Sequence, residues 1–202
     1  MRVRPVLSAA AIGYLFGTFP TADLVARRVS SGTIDLRAQG SGNPGAANAL
    51  KVLGKKAGAT VMVGDISKGA LASSIGGLVA GPAGAHIAGT ASVFGHCFPV
   101  WNGFRGGKGV AAGIGQCLAT FPAYLPIDLA IAGAVAATPA LKQRSFTAAM
   151  ISSSAWVVGA LVWWRKGHGN LWGPKPGPGL VAAATLSSAA IAYKFVVARE
   201  PG

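Results

Sequence analysis

Apolar runs, most of them near the ~20 residues that a membrane-spanning helix needs, follow one another along nearly the whole chain. They fall at about 6–26, 57–80, 83–101, 109–122, 123–140, 146–164 and 180–197. Lipid offers the backbone no hydrogen-bonding partner, so runs of this kind cross it as helices. The composition agrees: 51% of the residues are hydrophobic and only 11% charged, where a soluble domain has about a quarter. The predicted fold is all-α, a polytopic membrane helix bundle of about seven transmembrane helices forming one integral membrane domain over 1–202. The fourth and fifth runs are interrupted at Phe121-Pro122 and Leu125-Pro126. They read as two short spans or as a re-entrant hairpin, which leaves five or six spans open. Arg2 and Arg4 before the first run give it the look of a secretory signal. Pro20, Asp23 and Arg27-Arg28 close that run without a small-x-small cleavage site, so it is read as a retained helix.

Orientation follows from Lys and Arg in the short loops. With the N-terminus outside and the C-terminus cytoplasmic, Arg27, Arg28, Arg37, Lys51, Lys55, Lys56, Arg105, Lys108, Lys142, Arg144 and Arg199 face the cytoplasm. The other side receives Arg2, Arg4, Arg165, Lys166 and Lys175, while Lys68 and Lys194 fall within spans. This arrangement brings the loops 27–56, 102–108 and 141–145 to one face. The loop 165–179, with His168 and Asn170 as ordinary loop polars, lies on the opposite face between interfacial Trp163, Trp164 and Trp172.

Eighteen Lys and Arg stand against five acids, a net charge of +13, so the partners are expected to be anionic. The bases sit between apolar runs, which points to phosphorylated substrates and lipid headgroups and away from nucleic acid. Cys97 and Cys117 form no CxxC pattern and have no matching His pair, and they read as structural thiols.

Two loops carry the chemistry. The first reads Gly40-Ser41-Gly42-Asn43-Pro44-Gly45-Ala46-Ala47-Asn48, followed by Lys51, Lys55 and Lys56. Its glycines let backbone N–H groups turn toward an anion, and a helix starting after Pro44 adds its positive end. Ser41, Asn43 and Asn48 supply neutral hydrogen-bonding groups, and Lys51 stands one helical turn further on. The spacing also fits G-x-G-x-x-G, but no hydrophobic strand precedes it, so the dinucleotide reading fails. A plain glycine turn between two helices is the alternative.

The second loop runs from Gly95-His96-Cys97-Phe98-Pro99 to Phe104-Arg105-Gly106-Gly107-Lys108-Gly109-Val110. Arg105 and Lys108 stand among glycines, two cations beside bare backbone donors. A Walker loop is excluded, because Gly109 replaces the Ser or Thr that would hold magnesium. His96 reads either as a group that orients substrate or moves a proton, or as a structural hydrogen-bonding residue. Asp65 and Lys68 share a helix face and read first as a structural pair, with a catalytic role as the alternative. Arg144 and Thr147 open the sixth run, where Arg either marks the headgroup boundary or touches substrate.

At these two loops the sequence resembles the bacterial acyl-phosphate:glycerol-3-phosphate acyltransferase family. Ser41-Gly42-Asn43-Pro44-Gly45-Ala46-Ala47-Asn48 with Gly54-Lys55-Lys56 looks like its first motif, and the second loop looks like its second. The likeness takes in Gly17, Pro20, Ile34-Asp35 and Asp65-Ile66-Ser67-Lys68-Gly69, and more weakly Arg144-Ser145-Phe146-Thr147. It implies a seven-span inner-membrane enzyme with a cytoplasmic-side site, working in the first step of phospholipid synthesis. Such an enzyme moves a fatty acyl group from acyl phosphate to the 1-hydroxyl of glycerol 3-phosphate without metal, cofactor or acyl-CoA. Ser41 falls on the motif-one serine, Lys51 on a position that is usually Arg, and Lys108 on the motif-two lysine.

Ser41, Lys108 and His96 are therefore the catalytic candidates. The substrate-binding ones are Gly42, Asn43, Gly45, Asn48, Lys51, Arg105, Gly106, Gly107, Gly109, Arg144 and Thr147. The family's third motif, with a His, an Asn and a closing Glu, has only Glu200 as a counterpart after Tyr193-Lys194-Phe195. That departure keeps a catalytically inactive relative open. The loops alone also fit a transporter or channel for a small phosphorylated anion.

Overall fold

The computed structural model describes residues 3–197; Arg2, Arg199 and Glu200 lie outside them. The described residues contain helices and no strand. In order these are α1 (Val3–Thr18), α2 (Thr21–Val29), α3 (Ala46–Leu53), α4 (Lys55–Cys97), α5 (Val110–Thr120), α6 (Leu125–Ala136), α7 (Arg144–Lys166) and α8 (Pro178–Val197). Pro20 separates α1 from α2, since proline has no N–H to continue the helical ladder.

Helix α4 has 43 residues. As a straight rod it would reach about 65 Å at 1.5 Å per residue, twice the ~30 Å of bilayer hydrocarbon. It does not run straight. Gly81 has φ 64° and ψ −157° just before Pro82, a backbone state that glycine reaches without strain, and the chain reverses there. Residues on either side then pair: Ser92 Oγ donates to the Lys68 carbonyl at 3.5 Å, and a Cβ on Gly76 would stand 2.4 Å from that of Ala88. The two arms of α4 coincide with the separate runs expected at 57–80 and 83–101.

Small residues set the other helix crossings, as in bilayer-embedded bundles where backbones approach closely. Gly13 and Gly17 of α1 abut the backbone of Ala88 and Ser92, and Gly115 of α5 abuts the carbonyl of Ile66. Gln116 clasps α4, α5 and α8 together: it donates to Thr90 Oγ1 at 3.3 Å and accepts from Ser187 Oγ at 2.7 Å. Helices α5 and α6 meet at a 116° bend centred on Pro122. Four helical stretches are long and apolar enough to cross a membrane, or five if this bent pair is one span.

The glycine loops lie at one end of the bundle. The reversal at Gly81-Pro82 lies at the other, where it shares a groove with Trp172 and Gly173. There Trp172 Nε1 donates to the Leu118 carbonyl and Asn170 Nδ2 to that of Thr120, which docks the 165–179 loop on the end of α5. Cys97 and Cys117 are buried and unlinked.

Candidate active site

The first loop is shaped by Asn48, in the first turn of α3 and 2% exposed. Its Oδ1 accepts from the Ser41 N–H at 2.9 Å, and its Nδ2 donates to the carbonyls of Leu36 and Gln39, both at 2.9 Å. Gly40, at φ 61°, packs against this amide, and a Cβ there would stand 2.1 Å from Asn48 Oδ1. The Gly42 N–H donates to Gln39 and the Gly45 N–H to Asn43. Asn48 was expected to meet substrate; its amide is instead occupied in holding Ser41, which is exposed on the loop.

The second loop folds back over the end of α4. Gly106 N–H donates to the Cys97 carbonyl at 3.2 Å and Gly107 N–H to that of His96 at 3.1 Å. The last carbonyls of a helix have no partner within it, and this loop supplies them. For Gly42, Gly45, Gly106 and Gly107 the expectation that glycine N–H groups face an anion is corrected accordingly, because these donors serve the chain itself. The available donors lie one step further on. Gly45 immediately precedes α3 and Gly109 immediately precedes α5, neither giving a side-chain cap, and first-turn N–H groups at a helix start suit an anion.

Three hydrogen bonds, two of them through Asp23, and one packing contact join the loops. Arg37 donates from Nη1 to Asp23 Oδ1 and from Nε to the Arg105 carbonyl at 3.2 Å, while Asn102 Nδ2 donates to Asp23 Oδ2 at 3.2 Å. Gly107 lies against Pro44, since a Cβ on it would be 3.1 Å from the Pro44 carbonyl oxygen. The ring of His96 sits directly behind, its Nε2 2.2 Å from that same Cβ position. Helix α8 completes the wall: Lys108 Nζ lies 4.4 Å from the centre of the Phe195 ring, and Lys194 Nζ 5.3 Å from that of Phe98.

Asp23 and Asp65 each touch a cation, Arg37 and Lys68. With Arg105, Lys108 and Lys194 nearby, the loop end is strongly positive. Lys51 is exposed in the last turn of α3. Arg144 donates to the Pro139 carbonyl, and among the described contacts neither it nor Thr147 reaches the glycine loops. The nearest link is Phe146, edge-on to Phe195 at 6.0 Å. Sequence reasoning missed Asp23, Arg37 and Asn102. The signal was there in Asp23: in a chain with five acids and eighteen bases, an acid beside a cationic loop is expected to be paired.

The sequence model of one family, described as "Glycerol-3-phosphate acyltransferase", matches residues 7–198. This chain belongs to that family. Among relatives named glycerol-3-phosphate acyltransferase, that of Maricaulis maris is 39% identical to this acyltransferase over 159 residues, covering 79% of this chain and 71% of the relative. The one from a Bradyrhizobium species is 41% identical over 160 residues, 79% and 77% of the two chains. Among solved structures, the acyltransferase is similar to PlsY, an integral membrane glycerol 3-phosphate acyltransferase, in its glycerol 3-phosphate form. The TM-score is 0.75 at 29% identity, with 95% of this chain and 88% of that chain covered. The lysophosphatidic acid form gives 0.72 at 28% identity, with 94% and 87% covered. The acyltransferase is thus an all-helical, multi-pass membrane protein, as its apolar runs predict.

Proposed function

We propose that this acyltransferase moves a fatty acyl group from acyl phosphate to the 1-hydroxyl of glycerol 3-phosphate, releasing lysophosphatidate and inorganic phosphate. The observation that carries this reading is the contact between the two glycine loops, which sets two uncapped helix starts and the cations Arg105 and Lys108 at one end of the bundle. Two anionic substrates repel each other, and a cationic surface that binds both lowers that cost and fixes their approach.

The hydroxyl oxygen attacks the acyl carbonyl carbon, the bond from that carbon to the phosphate oxygen breaks, and the hydroxyl proton passes to a phosphate oxygen. Lys108 and the start of α5 stabilise the departing phosphate. Ser41, held outward by Asn48, and the start of α3 bind glycerol 3-phosphate, with Lys51 and Asn43 at its edge. His96 is buried against Gly107, and its part is read as support for the loop. Family membership favours transfer over transport for these loops.

The seven-span reading counts α1 with α2 as one span, the two arms of α4 as two, and α5, α6, α7 and α8 as one each. The excess of Lys and Arg at the loop end supports a site at the cytoplasmic face, with the N-terminus outside, within reach of the lipid phase that takes the product. Lys108→Ala tests the assignment. Loss of one charge-assisted contact to the developing phosphate should lower turnover about 100-fold or more, and turnover near that of the parent would remove Lys108 from the site.

A further inference from the structure

Beneath the loops lies a polar cluster that the transfer chemistry does not use. Asp65, Lys68 and His96 are 2%, 6% and 7% exposed. Lys68 Nζ is 2.9 Å from Asp65 Oδ1 and donates to the Phe19 carbonyl at 3.2 Å, where Pro20 breaks the first helix. His96 Nδ1 stands 3.7 Å from the same Asp65 oxygen, beyond hydrogen-bond reach. His96 Nδ1 and Thr21 Oγ1 are both buried without a hydrogen-bond partner, and Thr21, Asp65, Lys68 and His96 line one cavity with Gly106 and Gly107.

Buried polar atoms are normally satisfied by protein or by ordered water. About 20 Å³ is free in this cavity, enough for one water molecule where polar partners surround it. The other face of the His96 ring abuts Gly107, next to Lys108, and through Gly107 it meets Pro44 of the first loop. The cluster therefore connects the break between α1 and α2 to both glycine loops.

We propose that Asp65, fixed by Lys68, and Thr21 are positioning residues that hold one water against His96 Nδ1, and that the His96 ring so held sets Gly107 and the adjacent Lys108. This rests on the functional reading above, and it assigns to the cluster a role in aligning the transfer step in addition to closing the bundle. A misplacement near 1 Å at reacting groups costs on the order of 100-fold in rate, whereas substrate binding on the outer loop surface is little affected.

The test compares Thr21→Val, Thr21→Ser and Asp65→Asn in purified, detergent-solubilised protein, with initial rates normalised to folded enzyme. Thr21→Val keeps the shape and removes the hydroxyl; its kcat should fall roughly tenfold with KM for glycerol 3-phosphate unchanged within about twofold, and Thr21→Ser should restore most of the loss. Asp65→Asn should lower kcat on the order of 100-fold. Parent-like kcat in Thr21→Val, or equal impairment in Thr21→Val and Thr21→Ser, would overturn the proposal. If Asp65→Asn does not fold, the Thr21 pair decides it. A parent chain that makes no lysophosphatidate would count against the transfer reading itself, a failure visible before any variant is compared.

Discussion

Arg37 and Asp23, fourteen residues apart in sequence, form an ion pair that fastens the first glycine loop to the first turn of α2. Because Arg37 also donates to the Arg105 carbonyl and Asp23 accepts from Asn102, the pair fixes the second loop as well. Both side chains are partly exposed, at 25% and 20%, so the stability at stake is only about 1 kcal/mol. The functional effect should exceed it. Asp23→Asn should raise KM for glycerol 3-phosphate severalfold while the unfolding midpoint moves by a few degrees, and a double-mutant cycle with Arg37→Ala should show coupling of about 1 kcal/mol.

Asn48 predicts the opposite balance. Its buried side chain makes three hydrogen bonds, each worth about 1 kcal/mol net, so Asn48→Ala should destabilise the protein by about 3 kcal/mol in thermal unfolding in detergent. Asn48→Asp should do no better, since a carboxylate cannot donate to the carbonyls of Leu36 and Gln39.

How much of this was legible in the sequence depends on distance along the chain. Local signals carried far: Gly81-Pro82 marks the reversal of α4 between the runs expected at 57–80 and 83–101, and Pro122 marks the α5–α6 bend. Pro44 marks the start of α3 two residues on. The meeting of His96 with Asp65 was not legible, because it depends on the register of two arms joined at residue 81. The use of the Gly106 and Gly107 N–H groups was hidden for a related reason. A glycine-rich stretch offers donors, and only the path of the loop over the end of α4 decides that the carbonyls of Cys97 and His96 take them.

Gly115 tests the packing on which that path rests. A Cβ there would stand 1.9 Å from the Ile66 carbonyl oxygen, a backbone atom that cannot step aside without parting α5 from α4. Gly115→Ala should cost about 3 kcal/mol through overpacking and leave little folded protein on size exclusion. Gly133→Ala in α6, where nothing lies within 4 Å, should behave like the parent.

Lys51 separates phosphate binding from topology. It stands where the resembling family usually has Arg, and it is exposed at the end of α3. If it meets a substrate phosphate, Lys51→Arg should preserve or lower KM for glycerol 3-phosphate, because a guanidinium supplies two parallel hydrogen bonds. Lys51→Ala should raise KM with kcat little changed, the signature of a contact made equally in ground and transition states. Unchanged kinetics in both variants would leave Lys51 as a topology charge.

The central claim is the transfer of an acyl group from acyl phosphate, and its most direct measurement is product formation by the purified chain in detergent or lipid. With acyl phosphate and glycerol 3-phosphate supplied together, lysophosphatidate and inorganic phosphate should appear in equal amounts. Acyl-CoA in place of acyl phosphate should give neither. Lysophosphatidate formed from acyl-CoA alone, or no product from acyl phosphate under any detergent or lipid condition, would contradict the account.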